Sequence, residues 1–143
     1  MFAIILLAST ILGATVTDCG PTFYALYNMS SNYADANRYA QAAALREGAA
    51  RIFEDCMSQG DAPKEGMYPF DAVGSYLISA TFWHLAGYSN EANRTLSLAK
   101  SSLIRVLQSY PERGLTDRQR LYLYQMRRLI HDDDAGHWAI WKE

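Results

Sequence analysis

The sixteen residues from Met1 to Val16 carry no charged side chain and no Asn, Gln or Pro. Thr17-Asp18-Cys19-Gly20 then brings in the first acid and the first cysteine. An apolar run of that length matches the hydrophobic segment of a signal peptide. It is shorter than the roughly 20 residues a membrane-spanning helix needs. Leu12-Gly13-Ala14 approximates the small-x-small cleavage pattern, which places cleavage between Ala14 and Thr17. Residues 1–16 are therefore read as a signal peptide, and 18–143 as a single α-helical domain. No Lys or Arg follows Met1, so the α-amino group alone supplies the positive charge of the leader. The expected destination is the bacterial periplasm or the outside of the cell.

That destination changes how the cysteines are read. There are two, Cys19 and Cys56. In an oxidising compartment an even pair is a disulfide candidate. The bridge would tie the start of the mature chain to the end of a long helical segment across 36 intervening residues. A loop of that size corresponds to about 3–4 kcal/mol of chain entropy. No CxxC, CxxCH or zinc-ligand spacing is present, which leaves redox catalysis, haem attachment and a zinc finger without support.

Charge gives no reason to expect nucleic acid as a partner, since the chain carries a formal charge of −2. That total hides an asymmetry. From Asp18 to Asp71 eight acids face four bases, a net of −4, whereas from Lys100 to Arg128 seven bases face two acids, a net of +5. Within the fold or a homo-oligomer the two halves can neutralise one another. No second segment is long and charge-free enough to span a membrane once the leader is removed.

The rest of the chain reads as helices separated by short breaks. Gly20-Pro21 marks a helix start, with a short helix through FYALYNM ending near Ser30-Ser31-Asn32. A long Ala-rich helix is expected from about Tyr33 to Met57, then a loop over Ser58–Gly66. A third helix runs from about Phe70 to Ala86 and stops at Gly87. It is apolar nearly all round, so it should lie between two neighbours. Ser89 is placed to cap a fourth helix, Asn90–Ser109, whose stripe is Ala92, Leu96, Ala99, Leu103, Val106 and Tyr110. Pro111 ends it. Thr116 and Gln119 form a capping-box pattern opening a last helix, Asp117 to about His131, with Tyr122, Met126, Leu129 and Ile130 as its apolar face. Trp138, Ile140 and Trp141 in the tail are expected to fold back on the bundle. The fold class is thus all-α, a small bundle of antiparallel helix hairpins.

The segment 70–109 resembles the tetratricopeptide repeat over about one unit. There a glycine ends the first helix, and an alanine, a large apolar residue and a second alanine follow at set spacing. Here those are Gly87, Ala92, Leu96 and Ala99, with Trp83 as the first-helix aromatic. The resemblance implies tetratricopeptide-like packing. The chain departs from the pattern at Ser79-Ala80, where a small pair is usual earlier, and at Pro111, which arrives late. No clean second copy is found at the usual period of about 34 residues.

Candidate chemistry is sparse. His131-Asp132-Asp133-Asp134 with His137 is the most ligand-dense stretch, but it lacks HExxH or calcium-loop spacing, and no metal or cofactor is assigned. His84 beside Trp83 reads as a core or interface histidine. No GxSxG, paired cysteine nucleophile or phosphate-cradling loop occurs, so no catalytic residue is assigned. Tyr24, Tyr27, Tyr33, Tyr39, Tyr68 and Tyr76 could line a peptide groove or simply pack. The expected function is a non-enzymatic interaction module that binds a peptide or protein. Arg118, Arg120, Tyr124, Arg127 and Arg128 are its partner-binding candidates. The alternatives are a small secreted hydrolase or metal enzyme built from His84, Glu91, His131 and Asp133, and a structural bundle within an envelope oligomer.

Overall fold

The computed structural model describes residues 18–132. The signal-peptide segment lies outside them, as do the aromatic tail and Asp133, Asp134 and His137. Five helices run in order: α1 (Cys19–Asp35), α2 (Tyr39–Ser58), α3 (Asp71–Leu85), α4 (Ser89–Ser109) and α5 (Asp117–Asp132). A short 3-10 turn at Glu112–Gly114 precedes α5, and no strand occurs among the described residues. Each of the first four helices packs on its neighbours in sequence, and α5 lies more lightly on α3 and α4.

The hairpins explain where the helices break. The sequence predicts one long helix from Tyr33 to Met57, but the chain turns at Ala36–Arg38. Asn37 takes the left-handed region, with φ 61°. The amide of Arg38 donates to the Tyr33 carbonyl at 2.8 Å, and that of Asn37 to the Ala34 carbonyl at 2.9 Å. These are the two bonds of a Schellman turn, which satisfies the last carbonyls of a helix. Ser30 and Ser31, expected to end the first helix, instead lie inside α1. Ser31 Oγ donates back to the Tyr27 carbonyl at 3.2 Å, and Ser30 Oγ donates across to the Ala42 carbonyl of α2 at 2.7 Å. Both hydroxyls therefore find partners without breaking the helix.

The turn from α3 to α4 repeats this geometry 50 residues later. Tyr88 donates to the Trp83 carbonyl and Gly87 to the His84 carbonyl, both at 2.9 Å, with Gly87 at φ 85°. In each hairpin an alanine amide four residues past the turn, Ala42 or Ala92, donates to Arg38 or Tyr88 at 3.0 Å. A long connection, residues 59–70, joins the two hairpins.

Small residues bring the helices together. Ala42, Ala43, Ala49 and Ala50 are fully buried, so α2 can lie closely against α1 on one side and α3 on the other. Ser79 Oγ of α3 donates to the Ala43 carbonyl at 2.7 Å, next to the carbonyl that Ser30 of α1 takes. As its composition demands, α3 is buried on most sides, with Ala72 to Leu77 and Ser79 to Thr81 enclosed between α2 and α4. The expected α4 stripe Ala92, Leu96, Ala99, Leu103 and Val106 is buried against it.

The capping box also forms. Thr116 N–H donates to Gln119 Oε1 at 2.8 Å, and Gln119 N–H to Thr116 Oγ1 at 3.2 Å. Two orphan donors at the start of α5 are satisfied reciprocally. Leu123, Met126 and Leu129 anchor α5 on the core, while Tyr122 and Ile130 are only half-buried. Ser89, expected as a cap, is instead the first residue of α4 and makes no side-chain cap.

At the far end of the first hairpin the sulfurs of Cys19 and Cys56 are at bonding distance, 2.14 Å, with Cα atoms 5.8 Å apart. The start of α1 is thereby joined to the end of α2. Phe23 and Phe53 pack beside the pair at 5.1 Å between ring centroids.

Candidate ligand-binding site

Where α1, α2 and α3 meet, next to the first turn, a cavity of about 420 Å³ opens to solvent. Tyr27, Ser31 and Asp35 reach it from α1, Asn37 from the turn, Tyr39 and Arg46 from α2, and Ile78 and Phe82 from α3. The Schellman turn matters here. It directs α2 back along α1 and so places Arg46 beneath the side chains of α1.

Arg46 is 3% exposed. Its guanidinium carbon stacks 3.7 Å from the centroid of the Tyr27 ring and lies 5.8 Å from that of Phe82. Nε donates to Ser30 Oγ at 3.1 Å, and Nη2 to Ser31 Oγ at 2.9 Å and to the Tyr27 carbonyl at 3.4 Å. All of these partners are neutral. Among the described residues six ion pairs form, and none includes Arg46. Burial pushes the Arg46 pKa below its ordinary value, and the neighbouring Tyr27 opposes that shift. Stacking on Tyr27 compensates part of the cost of desolvating a cation.

A second cavity of about 310 Å³ lies between the ends of α2 and α4, lined by Glu54, Ser102, Arg105 and Tyr110 among others. There Glu54 accepts the Tyr76 hydroxyl at 2.5 Å and pairs with Arg105. Burial, reinforced by Glu54, raises the Tyr76 pKa. These charges are already matched, which separates this cavity from the first.

The sequence-derived candidates fall as follows. Arg120, Tyr124, Arg127 and Arg128 share the solvent-facing side of α5, at helical spacing and opposite Leu123, Met126 and Leu129. Arg118 sits on the flank, its Nε 3.2 Å from the Tyr122 hydroxyl. Arg127 pairs with Glu112 at 3.0 Å and Arg120 with Asp117 at 3.4 Å, so two of these charges are locally matched. Tyr124 is 63% exposed.

The six tyrosines do not converge. Tyr27 and Tyr39 line the Arg46 cavity, whereas Tyr24 bonds to Glu65 and Tyr68 to Tyr110. Burial and the Glu65 bond push Tyr24 up to about 12, and burial with the Tyr110 bond does the same to Tyr68. Tyr76 is enclosed. His84, read as a core or interface histidine, lies outside the core, exposed near the end of α3, because the helix emerges from between its neighbours there. Glu91 pairs with Arg94 at 2.9 Å. Among the described residues no three His, Cys, Asp or Glu side chains are grouped to hold a metal, and no helix is long and apolar enough to cross a membrane.

Arg46 was not singled out from the sequence, where it counts only as one base in an acidic half. A signal was nevertheless present. With the two hairpins aligned at the 50-residue offset, Ala42, Arg46, Ala49 and Phe53 stand where α4 has Ala92, Leu96, Ala99 and Leu103. Arg46 is a cation in an apolar stripe. No protein-family model, curated protein or solved structure matches the chain.

Proposed function

We propose that this protein is an exported, non-enzymatic binding module that holds a peptide or protein partner in the groove between α1 and α3. The hairpins would serve as a recognition scaffold in the manner of tetratricopeptide repeats. One observation carries the reading: an open cavity at the junction of three helices is lined by a buried guanidinium whose hydrogen-bond partners among the described residues are all neutral. Protein interiors match buried charges with opposite charge, and an unmatched one beside an open cavity is suited to a ligand. Export is supported by the leader-like opening and by the cysteine pair at disulfide distance.

The outer face of α5 offers a second contact region, with Tyr124 and Arg128 exposed and Arg120 and Arg127 engaged with local acids. It ranks below the groove because those exposed pairs already satisfy part of its charge.

Co-purification from native cells, followed by mass spectrometry, tests the reading. A partner that the wild-type chain retains and a folded Tyr39→Ala, Phe82→Ala variant releases supports the groove. A partner retained equally by both overturns it. The same spectra report the mature N-terminus, and a chain still starting at Met1 or Phe2 overturns the cleaved leader.

A further inference from the structure

We propose that the ligand group taken by the α1–α3 groove is a single carboxylate carried beside an apolar or aromatic body, with Arg46 as its counter-ion. The inference rests on the groove being the binding surface and specifies what it selects.

The geometry of Arg46 sets the class of ligand. Tyr27 covers one face of the guanidinium at 3.7 Å, and the Phe82 ring lies 5.8 Å away, within cation–π reach. With one face covered by Tyr27, recognition falls to the in-plane N–H edges. Nε and Nη2 are used on Ser30, Ser31 and the Tyr27 carbonyl. Nη1 has no partner among the described residues, yet it is not among the side-chain nitrogens sealed from solvent without one. It is therefore not sealed from solvent, and Arg46 lines the open cavity. An oxyanion placed there receives charge-assisted hydrogen bonds from a fixed, planar donor.

The surroundings narrow the class further. Ile78 and Phe82 supply an apolar wall, and Tyr39 a phenol. Asp35 lines the same cavity at the end of α1 and is exposed, without an ion pair to Arg46. A carboxylate beside the entrance repels a second negative charge on the ligand. Monoanionic carboxylates are favoured over doubly charged phosphates for that reason. The neutral partners of Arg46 do not compete for the anion, as a protein carboxylate would.

The test is an NMR titration of the full-length protein, following the Arg46 Nε–H and the amides of Tyr39, Ile78 and Phe82. The probes are phenylacetate, its neutral analogue phenylacetamide, inorganic phosphate, and acetyl-glutamate amide, which carries the carboxylate as a peptide side chain. Phenylacetate or acetyl-glutamate amide should shift these resonances, and the tighter of the two identifies a free acid or a peptide as the source. Phenylacetamide and phosphate should bind at least roughly tenfold more weakly. Arg46→Gln should abolish the difference between phenylacetate and phenylacetamide, and Asp35→Asn should narrow the gap between phenylacetate and phosphate. Equal binding of acid and amide overturns the carboxylate assignment while leaving the groove as a binding surface. Absence of shifts at these residues with every probe overturns the assignment and is independent of whether Arg46→Gln folds. Failure of the groove itself is read separately, from co-purification.

Discussion

Asn37 and Gly87 occupy the same position in two turns 50 residues apart, both in the left-handed region, at φ 61° and 85°. One carries a side chain there and the other does not. The turns share their hydrogen bonds, so the difference is one of residue preference.

Left-handed backbone costs a residue with a Cβ about 1 kcal/mol, less for Asn, and costs Gly little. Asn37→Gly should therefore hold or raise stability, by up to about 1 kcal/mol. Gly87→Ala should lower it by about 1–2 kcal/mol. Nothing lies within 4 Å of an added Cβ at Gly87, so that loss would be backbone strain alone. Urea midpoints of the two variants check both signs.

The Cys19–Cys56 link closes a loop of 37 residues in sequence separation. Chain-entropy arguments give it about 3–4 kcal/mol. Peptide mapping without reductant should recover one cross-linked peptide pair. A Cys19→Ala, Cys56→Ala variant should melt well below the oxidised protein while matching the reduced wild type. Two free thiols in protein isolated from its native compartment would contradict the bridge.

Asp71 provides a pH test. Burial lifts its carboxyl from the ordinary 3.8 to about 6, and Glu65 adds to that, against hydrogen bonds from the Met67 and Asp71 amides. Oδ1 accepts from Met67 N–H at 3.2 Å, while Oδ2 is buried without a partner. A carboxyl whose pKa rises on folding binds its proton more tightly in the folded state. Its contribution is full below about pH 4 and is lost as pH climbs through about 6, by up to about 2–3 kcal/mol. Asp71→Asn should flatten the stability profile between pH 4 and 6.5. Denaturant midpoints at four pH values measure it.

Charge reversal on α5 separates recognition from folding. Arg120→Glu with Arg127→Glu breaks the exposed pairs to Asp117 and Glu112, each worth about 0–1 kcal/mol. The double variant should keep its helical circular dichroism and melt within a few degrees of wild type. Reduced recovery of a co-purifying partner would show that this face takes part in docking. Unchanged recovery would leave docking to the groove.

Much of the architecture was legible because it follows from local chemistry. Gly87 stops α3, Pro111 follows α4, and the Thr116–Gln119 box opens α5, all through interactions within a few residues. The apolar stripe of α4 and the two-sided burial of α3 follow from helical period alone. The break at Asn37 was missed because Ser30, Ser31 and Asn32 offered a more familiar stop. The hydroxyls of Ser30 and Ser31 are engaged by Ala42 and Arg46 of a partner helix that the local sequence does not reveal.

The sequence by itself determined an all-α chain, the helix count of its described residues, its long-range cysteine pair and the residues able to carry charge. Local propensity, period and capping act over a turn or two, and sequence displays that range directly. Only the tertiary structure decided what Arg46 is. Its burial and its neutral surroundings come from three helices, α1 through Tyr27 and Ser31, α2 through its own backbone, and α3 through Phe82. A charge acquires its meaning from what surrounds it once water is removed. That environment exists only after the helices have packed.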